Sequence, residues 1–258
     1  NYGLLSPQNL SQKRCEMTQT KQYIWQRPSW PEFQWDNAAL LKLVGSCRFQ
    51  QASLLTQMKD LGLDVRQQAR AEVLIEEALK TSEIEGERLD PNAVRSSVAR
   101  RLGLPTAGMV SIKNQQADGV VQILLDATQN FNQALISERL FGWHAALFPT
   151  GYSGMHKIKV ASWRDDSKGP MRVVSGPIGR EKIHYEAPPA EGLADEMKRF
   201  FCWWEDSRKE MDGLLRAGMA HLWFVAVHPF EDGNGRVARA LTEMALAQDE
   251  NLSTRYYS

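Results

Sequence analysis

Apolar residues recur at helical spacing along most of the chain. Asp36 is placed to cap a helix running to about residue 61, with Leu40, Val44, Cys47, Leu54, Leu55 and Met58 apolar. A second helix, about residues 66–86, carries Leu74, Ile75, Ala78, Leu79 and Ser82 on one face, and Gly86 supplies a C-terminal stop. Pro91 and Pro105 punctuate the next stretch, and residues 115–131 and 138–147 again read as helices. Residues 192–204 form another, whose Met197, Phe200, Phe201 and Trp204 suit a core. A strongly apolar run, Leu222-Trp223-Phe224-Val225-Ala226-Val227, ends at His228, because Pro229 disfavours helix at the residue before it. Val237 to Leu246 resumes a helical pattern. The β signal is confined to residues 157–163 and 171–175, where alternation such as Ile158 and Val160 predicts a hairpin closed by residues 164–170. The fold class is therefore mainly α, with one hairpin. Residues 23–36 concentrate aromatics and prolines and read as an irregular segment packing its rings on that core.

Composition narrows the setting. At 258 residues the chain makes one large domain or two small ones. Lys plus Arg equals Asp plus Glu at 31 each, so bulk charge argues for neither nucleic acid nor membrane as partner. Arg95, Arg100 and Arg101 read as a solvated helix face. The 3 cysteines, Cys15, Cys47 and Cys202, are scattered, which fits a reducing compartment. Neither a signal peptide nor an apolar run of about 18 residues appears, so a soluble cytoplasmic protein is expected. Residues 1–16 show no periodicity and Met17 makes a natural start, so the first 16 are expected to be a tag or loose extension.

Chemistry concentrates in one run, His228-Pro229-Phe230-Glu231-Asp232-Gly233-Asn234-Gly235-Arg236, followed by Arg239. Gly233 and Gly235 flank Asn234 and admit positive φ, so backbone N–H groups can converge on an anion. The helix after them adds its free N-terminal amides and dipole. Arg236 and Arg239, three apart, face the same way and can each grip phosphate oxygens. Asp232 is a hard carboxylate suited to a magnesium ion bridging phosphates. His228 has an ordinary pKa near neutrality and suits a general base. Neither a Walker P-loop nor a dinucleotide fingerprint is present, and no zinc-type spacing of His or Cys occurs.

The run HPFEDGNGRVAR resembles the Fic motif, HxFx(D/E)GNGRxxR, at every specified position. The resemblance implies a Fic-fold helical core with a β-hairpin flap. It implies transfer of AMP from ATP to a hydroxyl of a target protein, and of the enzyme itself, with release of pyrophosphate. By the same resemblance His228 is the general base and Asp232 the magnesium ligand. Gly233, Asn234 and Gly235 form the anion hole, Arg236 binds phosphate and Arg239 meets the γ-phosphate. The predicted hairpin corresponds to the flap, so Val173, Val174, Ser175 and Gly176 join the ATP-binding set, and an edge strand there docks the target segment.

Upstream, Thr81-Ser82-Glu83-Ile84-Glu85-Gly86 resembles the (S/T)xxxE(G/N) inhibitory motif of these proteins. It implies an N-terminal helical region, residues 17–105, whose Glu85 pairs with Arg239, ahead of a Fic core at 106–258. Relatives with this N-terminal region usually continue into further helices and often a winged-helix module, whereas this sequence stops at Tyr256-Tyr257-Ser258. Groups closing the adenine pocket are accordingly expected to be missing. The rivals to ATP-dependent transfer are another nucleotide donor, removal of AMP, and a non-catalytic nucleotide-binding module. The Fic core implies no membrane or nucleic-acid partner, and the sequence implies no oligomeric state.

Overall fold

A computed structural model describes residues 23–105, 112–177 and 179–257. The expected extension at residues 1–16, Met17 and Cys15 lie outside the described residues, and residues 106–111, next to the expected division of the chain, do too.

The centre is a pair of helices adjacent in sequence and packed on one another: α7 (Gly213–Val227) and α8 (Asn234–Glu250). α8 is buried along nearly its whole length: Val237, Ala238, Ala240, Leu241, Met244, Ala245 and Ala247 lie inside, together with its polar Asn234, Arg236, Glu243 and Gln248. A helix covered on nearly every face lies among other helices. Here those are α7, α2 (Leu63–Ile84), α4 (Gln115–Gln129) and α5 (Ser137–Leu147). α3 (Pro91–Leu102) packs on α2 and α4, and α6 (Leu193–Asp206) packs on α7. Met197, Phe200 and Trp204 are buried on α6, as core residues should be.

Local signals set the ends of these helices. Asp36 accepts from the amides of Ala38 and Ala39 at the start of α1 (Asn37–Lys59), and Asp90 accepts from Asn92 ahead of α3. Gly86 follows α2 at φ 78°, a left-handed turn that costs glycine nothing. The aromatic segment behaves as its composition suggests, with Trp30 and Phe33 edge-on to Trp223 of α7. The basic residues of α3 are spent on neighbours: Arg95 pairs with Glu72, Arg100 with Asp118.

Two expectations are corrected. α1 keeps only Met58 fully buried, and Cys47 is exposed; polar ties such as Arg48 to Asp212 hold this helix to the ends of α7 and α8. The hairpin has a different partner. Residues 158–163 form no strand, because Ile158, Val160 and Trp163 turn inward onto the core instead of alternating across a sheet. The strand β3 (Arg172–Ser175) pairs with β4 (Lys182–Glu186), and a smaller ladder joins β1 (Tyr152–Ser153) to β2 (His156–Lys157). Among the described residues no helix is long and apolar enough to cross a membrane.

α4 and α5 approach so closely at Gly119 that an added Cβ would land on the Ala146 carbonyl oxygen. Gly119→Ala should therefore force the two helices apart. It is expected to cost about 2–3 kcal/mol, a drop of roughly 4–10 °C in thermal unfolding. An unchanged melting curve would contradict this packing.

Candidate active site

The loop between α7 and α8 is short, and buried side chains determine its path. Asn234 folds inward: its Oδ1 accepts from the Phe230 amide and its Nδ2 donates to the Phe230 carbonyl, both at 2.9 Å. Phe230 is fully buried, stacked on His144 with ring centroids 4.2 Å apart. Gly233 takes φ 79°, and a Cβ there would come within 2.8 Å of the Phe148 ring. Both reasons, conformation and space, require glycine. Helix α8 then starts, and its first amides face the turn without intrahelical partners.

His228 caps α7 in a left-handed conformation, φ 53° and ψ 59°. The helix does stop ahead of Pro229, but through a positive φ, uncommon for a non-glycine residue, and not through the extended backbone that proline favours. The carbonyl of Val225 can only accept, so the imidazole donates to it from Nδ1 over 3.1 Å. Its Nε2 is left with a free lone pair. Burial is the main cause of a pKa below the ordinary histidine value, with nearby Arg164 adding to it; contact with the Val225 carbonyl and the charges of Asp232 and Glu85 oppose it. Burial thus favours the neutral ring, with Nε2 carrying no proton.

Asp232 lies beside the turn. Its Oδ1 accepts from the Gly233 amide at 2.5 Å, and its Oδ2 accepts from the Ser153 hydroxyl on β1. No cluster of three or more metal-ligating side chains occurs among the described residues. Asp232 offers one hard carboxylate, the donor type that magnesium shares with phosphate oxygens, and no all-protein cage surrounds it among the described residues.

The two arginines are already engaged. Arg239 donates from Nη2 to Glu85 Oε1 at 2.5 Å and from Nε to the Thr81 hydroxyl at 2.5 Å, with the Thr81 carbonyl 3.1 Å from Nη2. The Glu85 carboxylate lies so directly over Gly235 that any Cβ at that position would collide with it. A carboxylate thus sits at the N-terminus of α8, where an anion is most favoured. Arg236, nearly buried and 4.9 Å from the Phe148 ring centroid, donates from Nη1 to Glu87 at 2.7 Å. The inhibitory motif foretells Glu85 at this place but gives Glu87 no part.

Val173, Val174 and Ser175 lie exposed on β3, and Gly176 opens its turn at φ 105°. The hairpin is rooted beside His228: Val173 pairs with Tyr185, whose hydroxyl donates to the Ala226 carbonyl over 2.7 Å.

Two supports of the loop escape a reading of the sequence. Arg164, which looks like a hairpin-turn residue, is buried and donates from Nε to the His228 carbonyl at 2.7 Å and from Nη2 to the Pro188 carbonyl at 2.6 Å. It holds the His228 backbone and the root of β4 together. His144 accepts from the Ala161 amide on Nδ1, so its Nε2 donates to the Asp232 carbonyl at 3.1 Å. His144 falls within the expected helix at 138–147, but nothing local reveals a partner 88 residues away.

Comparison with known proteins places this geometry. The Fic/DOC family model matches residues 134–246, which include the whole loop and most of α8. Residues 134–246 form a Fic/DOC domain. The preceding residues 23–104 match a domain of unknown function, DUF4172, so Glu85 and Glu87 reach the Fic domain from that region. Among curated relatives, the chain is 40% identical over 67 residues to the uridine 5'-monophosphate transferase of Xanthomonas campestris, covering 23% of this chain and 12% of that protein. It is 31% identical over 93 residues to protein adenylyltransferase fic-1 of Caenorhabditis elegans, covering 36% of this chain and 18% of that protein. A Fic-domain signaling protein from Bacteroides thetaiotaomicron superposes with a TM-score of 0.59 at 17% identity, over 77% of this chain and 71% of that one. A solved segment of C. elegans Fic-1 gives 0.51 at 19%, over 82% and 60%. These solved structures share the fold.

Burial lowers the His144 pKa to about 4. An unfolded chain protonates this residue near pH 6.5, so stability is fully present above that pH. It declines as pH falls towards 4, by up to about 3 kcal/mol. Denaturant titrations from pH 7 to 4 should show this slope, and His144→Gln should flatten it. An equal slope in the variant would contradict a neutral buried His144.

Proposed function

We propose that the protein is a nucleotidyltransferase that moves AMP from ATP to a Ser, Thr or Tyr hydroxyl of a target protein, and of itself, and that Glu85 restrains it. The observation that carries the proposal is the constellation around α8. A neutral histidine with a free Nε2, a glycine-lined helix N-terminus and two arginines converge there, and a carboxylate already occupies the anion's place.

The chemistry comes from these groups. The hydroxyl attacks the α-phosphorus in line with the bond to the β-phosphate oxygen. His228 Nε2 takes the hydroxyl proton, a P–O bond to the target forms, the bond to the β-phosphate breaks, and pyrophosphate leaves. Arg236 and the first amides of α8 offset charge on the phosphates, and Arg239 receives the γ-phosphate once Glu85 vacates it. Magnesium, carried with the nucleotide and held by Asp232, supplies further charge neutralisation when bound. The β3–β4 hairpin offers its exposed strands to the target segment by strand addition.

One relative bears on the donor. The uridine 5'-monophosphate transferase has the higher identity of the two curated relatives, so UTP is the second donor to test. The nest grips phosphates and does not choose between the bases.

With α-labelled ATP and Mg²⁺, Glu85→Gly should transfer label roughly ten- to a hundredfold faster than the native protein, the range of one charged hydrogen-bonded pair. Adding His228→Ala should lower that rate by about 10²–10⁴-fold. Because burial holds the His228 pKa below its ordinary value, the rate should be level near neutrality and fall only as pH drops below that value. No label from ATP or UTP in the folded Glu85→Gly protein would refute the proposal.

A further inference from the structure

The short segment after α2 puts two acids into the nest, and their surroundings differ. Glu85 lies across the open side, over Gly235 and against Arg239, whose side chain is 18% exposed. Glu87 stands on the other side of Gly86 and meets Arg236, whose side chain is only 3% exposed. The contact uses Nη1 alone. The Nε of Arg236 is buried without a partner, and its Nη2 is 3.9 Å from Asp232 Oδ1. The Phe148 ring is a further neighbour, and it limits where the guanidinium can turn.

We infer that Glu87 is a positioning residue for Arg236: it holds this guanidinium by one nitrogen so that its other donors stay directed into the phosphate site and away from Asp232. A buried cation needs a counter-ion, because desolvation is costly unless it is paired. Without Glu87 the nearest carboxylate is Asp232, less than one bond length beyond hydrogen-bond reach. Closing that gap would turn Arg236 inward and engage the carboxylate proposed for magnesium. The two acids of one segment therefore have opposite effects. Glu85 opposes nucleotide and Glu87 prepares for it.

The burial of α2 limits how the brake can release. Ala71, Ile75, Ala78, Thr81 and Ser82 of α2 are buried, and Thr81 itself holds Arg239. Withdrawing the helix would open the core and free Arg236 as well. The Glu85 side chain can leave Arg239 by swinging out, with α2 and Glu87 staying in place.

The inference rests on the nucleotide site proposed above, and one experiment separates the two. ATP binding is measured by calorimetry at several Mg²⁺ concentrations, with Glu85→Gly as the parent and Glu85→Gly/Glu87→Gln as the variant. The glutamine keeps an acceptor for Nη1 and loses the charge, and thermal unfolding checks the fold. The parent should bind ATP, and the variant should bind about tenfold more weakly and need more Mg²⁺, with Glu85→Gly/Glu87→Asp restoring part of the loss. A parent that binds no nucleotide would overturn the site and this inference together. A parent that binds, with a variant binding equally or more tightly, would overturn the inference alone and make Glu87 a second brake.

Discussion

Much of this molecule depends on how two buried helices are joined by six residues. α7 and α8 pack side by side, so the chain must reverse between Val227 and Asn234 without leaving the core. Asn234 makes this possible by binding both backbone groups of Phe230, which supplies partners to amide and carbonyl groups that burial would otherwise leave unpaired. The reversal puts positive φ at His228 and Gly233. Those two conformations aim the imidazole and the first amides of α8 at one volume. The arrangement of the loop is a by-product of how the core closes.

The supports of the loop come from distant parts of the chain. Arg164 binds the carbonyl of His228 and that of Pro188, so the end of α7 and the root of the β3–β4 hairpin share one buried guanidinium. His144 fixes the Asp232 backbone while its ring stacks on Phe230. The DUF4172 region contributes Glu85 and Glu87. That region packs through α2 against α8 and sets both carboxylates against the arginines of its first turns.

The sequence displays what is local and hides what is distant. The periodicities at 115–131 and 138–147 correspond to α4 and α5 with shifts of a residue or two, because amphipathic spacing and caps are local properties. The clustering of the loop's histidine, carboxylate, glycines and arginines is legible for the same reason: they are contiguous in the chain. The hairpin is not. Ile158 and Val160 alternate like a strand but serve as core side chains, and the partner of β3 lies across a Gly-Pro-rich turn at residues 182–186. Arg164 and His144 look like a turn residue and a core residue until the fold gives them partners 64 and 88 positions away. Glu87 sits beside the inhibitory motif but outside its pattern, so only its contact with Arg236 singles it out.

The central claim is that the Glu85 carboxylate occupies the place of a nucleotide phosphate over Gly235. A crystal structure of the Glu85→Gly protein with ATP and Mg²⁺ tests it most directly. The account predicts phosphate oxygens over Gly235 within hydrogen-bond distance of Arg239, with α2 unmoved. Nucleotide bound away from the nest, or seated there only after α2 has left the core, would contradict it.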